Sequence, residues 1–221
     1  MSLDSSQVKK LNDAVRAYSF PTAHFDFSDQ TPVSGLSMSQ LETRVRHQLL
    51  GSSPDEVKDG LSNILYWGFA QMRGLAPVRV ERFRSEVTRE QLGQASELFI
   101  NQQRPTLYEI ARLGLPQFSN ISFVSKIRMY LDPVKSATLD RQIMKMHQVH
   151  DDTILAAFKE HKTSIPTNLR NSNAYELWCD HLGHIAQAYL PSARVVDIER
   201  GFFHMIQTGG VNDAATILKN A

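Results

Sequence analysis

The sequence predicts an all-α protein of roughly ten helices. Apolar residues recur at the helical period almost throughout, and helix-start signatures stand ahead of several of these runs. Only one short stretch, PVRVERF (Pro77 to Phe83), alternates as a strand would. No sheet of three or more strands is therefore expected. A chain of 221 residues with 42% hydrophobic content can bury one good core, or two small helical lobes around a shared cleft.

Gln7 to Phe20 gives a first helix, with Val8, Leu11, Val15 and Tyr18 on one face. Pro21 to Ser37 holds two prolines, a glycine and the run DFSD, and reads as an extended arm. Residues 1–37 thus form a helix with an arm, and 38–221 a helical domain. Ser39 to Leu50 is a helix stopped by Gly51. Ser53-Pro54-Asp55-Glu56 starts the next with a cap, a proline at the first position and two acids against the dipole. That helix runs on through LSNILYWGFAQMRG, whose apolar content implies burial on most sides. Thr88 with Gln91 opens another by a capping box, running to Gln103. Pro105 to Leu113 and Ile121 to Leu131 make a helical pair around LGLPQFSN. Asp140 to Lys159, Ala174 to Leu190, Val195 to Gln207 and Asn212 to Asn220 complete the set.

The net charge of +1 exerts no global pull on nucleic acid. It is unevenly spread, however. Between Asn101 and His150 seven basic residues (Arg104, Arg112, Lys126, Arg128, Lys135, Arg141, Lys145) face three acids (Glu109, Asp132, Asp140). The excess is either a phosphate-contacting surface or a solvated helix face balanced elsewhere. The single cysteine, Cys179, sits at an apolar helical position as a buried thiol. It excludes an internal disulfide framework and suits a reducing cytoplasm, so a cytoplasmic protein is expected. No apolar run reaches the roughly 18–20 residues of a membrane span, and no signal-peptide core opens the chain, so no membrane partner is expected.

The most informative stretch is NISFVSKIRMYLDPVKSATLDRQIM, Asn120 to Met144. Lys126 lies on an amphipathic helix, on a turn that should be partly buried. A Pro-containing break follows, and Asp140 stands where the next helix begins. On residues alone, Lys126 is a snorkelling surface lysine or an amine held for chemistry, and Asp140 an N-cap or a proton-handling carboxylate. The two readings of Asp140 are compatible, since a cap fixes the carboxylate rigidly.

The segment LGLPQFSNISFVSKIRMYLDPVKSATLDRQI resembles the hairpin-to-aspartate region of the helix-hairpin-helix DNA glycosylase superfamily. It is closer to bacterial proteins described as having an 8-oxoguanine DNA glycosylase fold than to the repair enzymes themselves. NILYWGFAQMRG (Asn63 to Gly74) and RVVDIERGFF (Arg194 to Phe203) are similar to the same group, so the resemblance spans about Leu61 to Met205. It implies that Lys126 is the nucleophile and Asp140 its activator, in a hairpin region over residues 105–140. It implies DNA as partner and DNA repair as context. If the basic excess is a nucleic-acid footprint, Arg128, Lys135, Arg141 and Lys145 contact the substrate, and Trp67 stacks on a base if the aromatics form a wall. No cofactor or metal is implied. The chain departs from the superfamily in its hairpin: a Gly-x-Gly turn is replaced by Leu115-Pro116-Gln117-Phe118-Ser119-Asn120, and glycine is what eases close backbone approach to phosphate.

Two function classes follow. One is a glycosylase-like enzyme excising a damaged base, such as an oxidised purine, with β-lyase activity as a further step. The other is a catalytically inactive helical module that binds nucleic acid or protein. Tyr66, Trp67 and Phe69 are either a base-stacking wall or core aromatics. His147 with His150 and His181 with His184 have i,i+3 spacing but lack a fuller ligand set, and read as core or solvent-edge histidines.

Overall fold

Reciprocal caps begin five helices of the computed structural model, which describes residues 2–160 and 163–221. The described residues form α1 (Ser5–Ala17), β1 (His24–Asp26), β2 (Thr31–Val33), α2 (Met38–Leu49), α3 (Pro54–Gly68), α4 (Leu75–Glu86) and α5 (Arg89–Asn101). They continue through α6 (Leu107–Arg112), α7 (Ile121–Leu131), α8 (Lys145–Val149), a 3-10 turn (Ile154–Ala157), α9 (Leu169–Tyr189), α10 (Val195–Gln207) and α11 (Val211–Asn220). The all-α class holds, and the one sheet among the described residues has two strands. No helix among them is long and apolar enough to cross a membrane.

The chain divides into two units: a hairpin unit, residues 20–132, and a terminal unit, residues 1–19 with 133–221. The residues expected as an arm, 21–37, all lie in the hairpin unit, all but His24 are exposed or half-buried, and two short strands lie among them. β1 and β2 pair antiparallel, His24 opposite Val33 and Asp26 opposite Thr31. The turn is held by Asp26, whose Oδ1 accepts from Ser28 N at 2.9 Å, Ser28 Oγ at 2.6 Å and Asp29 N at 3.1 Å. The buried Asn63 of α3 fastens the strand, accepting from Phe25 N at 2.8 Å and donating to Phe25 O at 3.2 Å. Helix α3 packs against α2, α4, α5 and α7, while α2 and α6 also pack on α7.

Pro77 to Phe83, the one short strand-like stretch, lies in the middle of α4, which begins after Gly74 in a left-handed conformation (φ 75°). The alternation of Val78 and Val80 was outweighed by the helical spacing of buried Ala76, Val80 and Phe83. One expectation is corrected in the terminal unit. Asp140 to Lys159 is not one helix: it breaks into turns, the five-residue α8 and the 3-10 turn. Polar side chains there bond to local backbone, as Thr153 Oγ1 does to His150 O at 3.5 Å, which competes with helix formation.

In the terminal unit α1 packs on α10 and α11, and α9 packs on α10 and the 3-10 turn. The approach of α1 to α10 depends on Gly201, where a Cβ would stand 2.7 Å from Val15 Cγ2. The core of this unit gathers Trp178, Tyr175, Phe202 and Leu182, all fully buried.

Candidate functional site

Lys126 lies midway along α7 and is 8% exposed. Helix periodicity turns it toward α3. Its Nζ donates to Ser122 O at 2.8 Å and stands 5.2 Å from the Phe123 ring centre and 5.9 Å from that of Trp67. A carbonyl oxygen and two ring faces are groups that stabilise an ammonium. Gly68 makes this approach of α3 and α7 possible, since a Cβ there would lie 2.7 Å from Phe123 Cε1 and 3.5 Å from Lys126 Cδ. Trp67, 4% exposed, packs edge-on against Phe20 at 5.2 Å and Tyr130 at 5.4 Å. Its indole Nε1 is buried with no hydrogen-bond partner, an arrangement that costs about 1–3 kcal/mol. Glu42, on α2, is a buried acid that sequence reasoning passed over.

The turn before α7 keeps a glycine-like backbone without the glycine. Gln117 has φ 69°, in the left-handed region, and Arg79 Nη1 donates to its Oε1 at 3.0 Å. Gly114, which ends α6, has φ 62°. The turn between α6 and α7 therefore places a long polar side chain in a left-handed conformation that glycine adopts more readily.

Asp140 belongs to the terminal unit. It follows a buried run, Ser136 to Leu139, which α9 holds: Tyr175 Oη donates to Ala137 O at 2.6 Å and Trp178 Nε1 to Thr138 O at 3.3 Å. Asp140 Oδ1 accepts from Gln142 N at 2.8 Å and Ile143 N at 3.2 Å, and its carbonyl accepts from Met144 N at 3.1 Å. The cap reading thus holds, for a single helical turn rather than for a long helix. In the same unit α10 carries Glu199 and Arg200, both buried. The Arg200 guanidinium lies 5.4 Å from the Tyr18 ring centre and 3.6 Å from Asp197. Burial pushes the Tyr18 hydroxyl well above its usual value; Arg200 opposes this, while the Glu199 and Asp140 carboxylates add to it.

The expected substrate-contacting residues divide. Lys135, Arg141 and Lys145 are exposed in the terminal unit. Arg128 is different, and the expectation of a phosphate contact is corrected: it is 1% exposed in the hairpin unit, with Nη1 donating to Pro105 O at 2.7 Å. A guanidinium tying the start of the α6 segment to α7 is not presented to a strand. Of the paired histidines, His150 Nε2 lies 3.4 Å from Thr216 Oγ1, and burial holds His181 below its usual value. Among the described residues no three His, Cys, Asp or Glu side chains gather as a metal site.

The hairpin unit also carries open grooves around β1. One, of about 550 Å³, is lined by Phe25, Phe27, Tyr66, Val80, Glu81 and Arg84; its neighbour, of about 450 Å³, by His24, Phe27, Arg44, His47, Gln48 and Asp59. The signal in the sequence was the period-two run His24-Phe25-Asp26-Phe27, too short to stand out. The chain matches no protein-family model, no curated protein and no solved structure at a significant level.

Proposed function

We propose that this chain is a DNA glycosylase-like protein of the helix-hairpin-helix type, acting on a damaged base such as an oxidised purine. The observation that carries the reading is the burial of Lys126 on the second helix of a helical hairpin, beside an indole whose N–H has no partner. An amine shielded from bulk water is suited to nucleophilic use, which a fully solvated ammonium is not. The neutral Lys126 amine attacks the sugar C1′; the C1′–N bond breaks and its electron pair leaves with the base, which takes up a proton. Opening of the sugar then gives an imine to Lys126, and loss of the 2′ proton expels the 3′ phosphate, nicking the strand. Asp140, fixed by two backbone amides, is assigned the proton transfers. The target nucleotide must leave the helical stack to be reached.

Borohydride trapping on oligonucleotides carrying an 8-oxoguanine or an abasic site tests this. A covalent adduct in the parent, lost in Lys126→Gln, is expected. No adduct on either substrate, with a folded protein, removes the enzyme.

A second reading, a catalytically inactive module of the same fold, is favoured by one feature. Lys126 Nζ is already engaged by the Ser122 carbonyl and two ring faces, as a structural ammonium would be. It predicts strand binding without trapping.

A further inference from the structure

The grooves of the hairpin unit continue into one another. The aromatic groove and the polar groove share Phe27, and the Arg84–Asp59 ion pair, at 2.6 Å, joins their walls. The polar groove shares Thr43 and His47 with a third, of about 450 Å³, that also holds Arg46 and Ser52. The path so formed runs from half-buried aromatic rings to the basic face of α2.

Its two ends differ in chemistry. At one, Phe25 lies 5.0 Å from Phe27 and 5.6 Å from Tyr66, centre to centre, and the Arg84 guanidinium stacks 4.1 Å above Phe27. These are planar groups left open to solvent rather than sealed in the core. At the other, Arg44, Arg46 and His47 are exposed. The acids nearby are already engaged: Asp26 by its own turn, Asp59 by Arg84, and Glu56 by the Ser53 cap. Neither Arg44 nor Arg46 enters an ion pair among the described residues. Asp26 and Glu56 keep their charge but are turned into their own turn and cap, which leaves the two exposed guanidiniums open to an outside anion. Between the ends lies His24, 4% exposed, with neither ring nitrogen in hydrogen-bonding geometry with a partner. Burial, then the Arg44 charge, holds its imidazole below the usual value, so at neutral pH it offers one donor and one acceptor without added charge.

Stacking rings followed by unpaired arginines fit a base and the phosphates that trail it. We infer that this path is a binding track for single-stranded nucleic acid, with a base against Tyr66, Phe25 and Arg84 and the backbone along Arg44, His47 and Arg46. Glu81, at the aromatic end, accepts from an exocyclic base amine. The track deepens the nucleic-acid reading above and rests on it, but it uses no residue of the Lys126 site.

Fluorescence anisotropy with a short labelled oligodeoxynucleotide, read across salt concentrations, tests it. The Arg44→Ala/Arg46→Ala variant changes only exposed side chains, so the fold should be kept. It should weaken binding and reduce the log–log salt slope by about 0.7 for each phosphate no longer neutralised, or roughly 1.4 for both. Tyr66→Ala should weaken binding about five- to a hundredfold. Lys9→Ala, at an exposed lysine that lines none of the three grooves, should bind like the parent. A parent that binds the strand while the double variant keeps the same affinity and slope overturns the track and leaves the glycosylase reading in place. Loss of trapping chemistry with these effects intact removes the enzyme and keeps the track. Thymidine monophosphate binding as tightly as the strand overturns it too, since the site would then serve a free nucleotide.

Discussion

The Lys126 amine stands 5.9 Å from the centre of the Trp67 ring, whose own N–H is buried without a partner. Each residue supplies what the other leaves open: the ring face receives the cation, and the indole fills space against Phe20 and Tyr130. A polar group buried without a partner is a stability cost retained at this position. Trp67→Phe removes that cost and leaves a modest void, so urea unfolding should place it within about 1.5 kcal/mol of the parent. Trp67→Ala should lose about 3–5 kcal/mol through the cavity. Trp67→Phe being as damaging as Trp67→Ala would show that the indole N–H is satisfied in solution.

Gly68 sets the spacing of α3 and α7 at this place. Adding a methyl forces Phe123 aside, and the alkyl stem of Lys126 is the next group in contact. Gly68→Ala is expected to cost about 1–3 kcal/mol and to lower borohydride trapping at Lys126 more than Gly93→Ala, where the added methyl meets nothing within 4 Å. Equal trapping in both would mean that the position of Phe123 does not govern the amine.

Stability should fall on mild acidification. His24 and His181 are both held below their usual values, by burial first, with Arg44 adding to the effect at His24 and His184 at His181. Above the unfolded value of about 6.5 both states are neutral and nothing is lost. As pH drops through that value toward the folded ones, the unfolded chain binds more protons and is favoured. Asp26, Glu56 and Glu109 are held low by hydrogen bonds to their own turns and caps, so their contribution is present above about pH 4 and lost below it. The urea midpoint should therefore drop between about pH 7 and about pH 5, ahead of the carboxylate window, and His24→Gln with His181→Gln should flatten that part of the profile.

Much of the architecture was legible because it is written locally. Ile121–Leu131 and Val195–Gln207 were read to the residue, Thr88 with Gln91 forms the capping box its spacing implied, and Ser53 caps the helix it was expected to start. What failed was decided by competition between local signals. Asp140 to Lys159 has helical spacing, yet polar side chains such as Thr153 bond to nearby backbone and break the run. The hairpin His24–Val33 carries Pro32 and strands of three residues, below what periodicity resolves. Of the site, the burial of Lys126 was expected from its helix face, and the cap at Asp140 from its position. The burial of Arg128 was not, because its partner is a backbone carbonyl, Pro105 O, that no side-chain pattern announces.

Asp140 can be divided into its cap and its carboxylate by two substitutions. The cap needs only an acceptor for the Gln142 and Ile143 amides, at 2.8 and 3.2 Å. Asparagine keeps that oxygen, so Asp140→Asn should unfold within about 0.5 kcal/mol of the parent, while Asp140→Ala loses about 1 kcal/mol. Proton transfer needs the ionisable group, and asparagine lacks it. If Asp140 serves the Lys126 chemistry, both variants should slow trapping and base release alike, despite their difference in stability. If it is only a cap, Asp140→Asn should turn over like the parent. Single-turnover assays of the two variants beside their urea midpoints therefore separate a structural carboxylate from a working one, because stability and rate are predicted to fall into different orders.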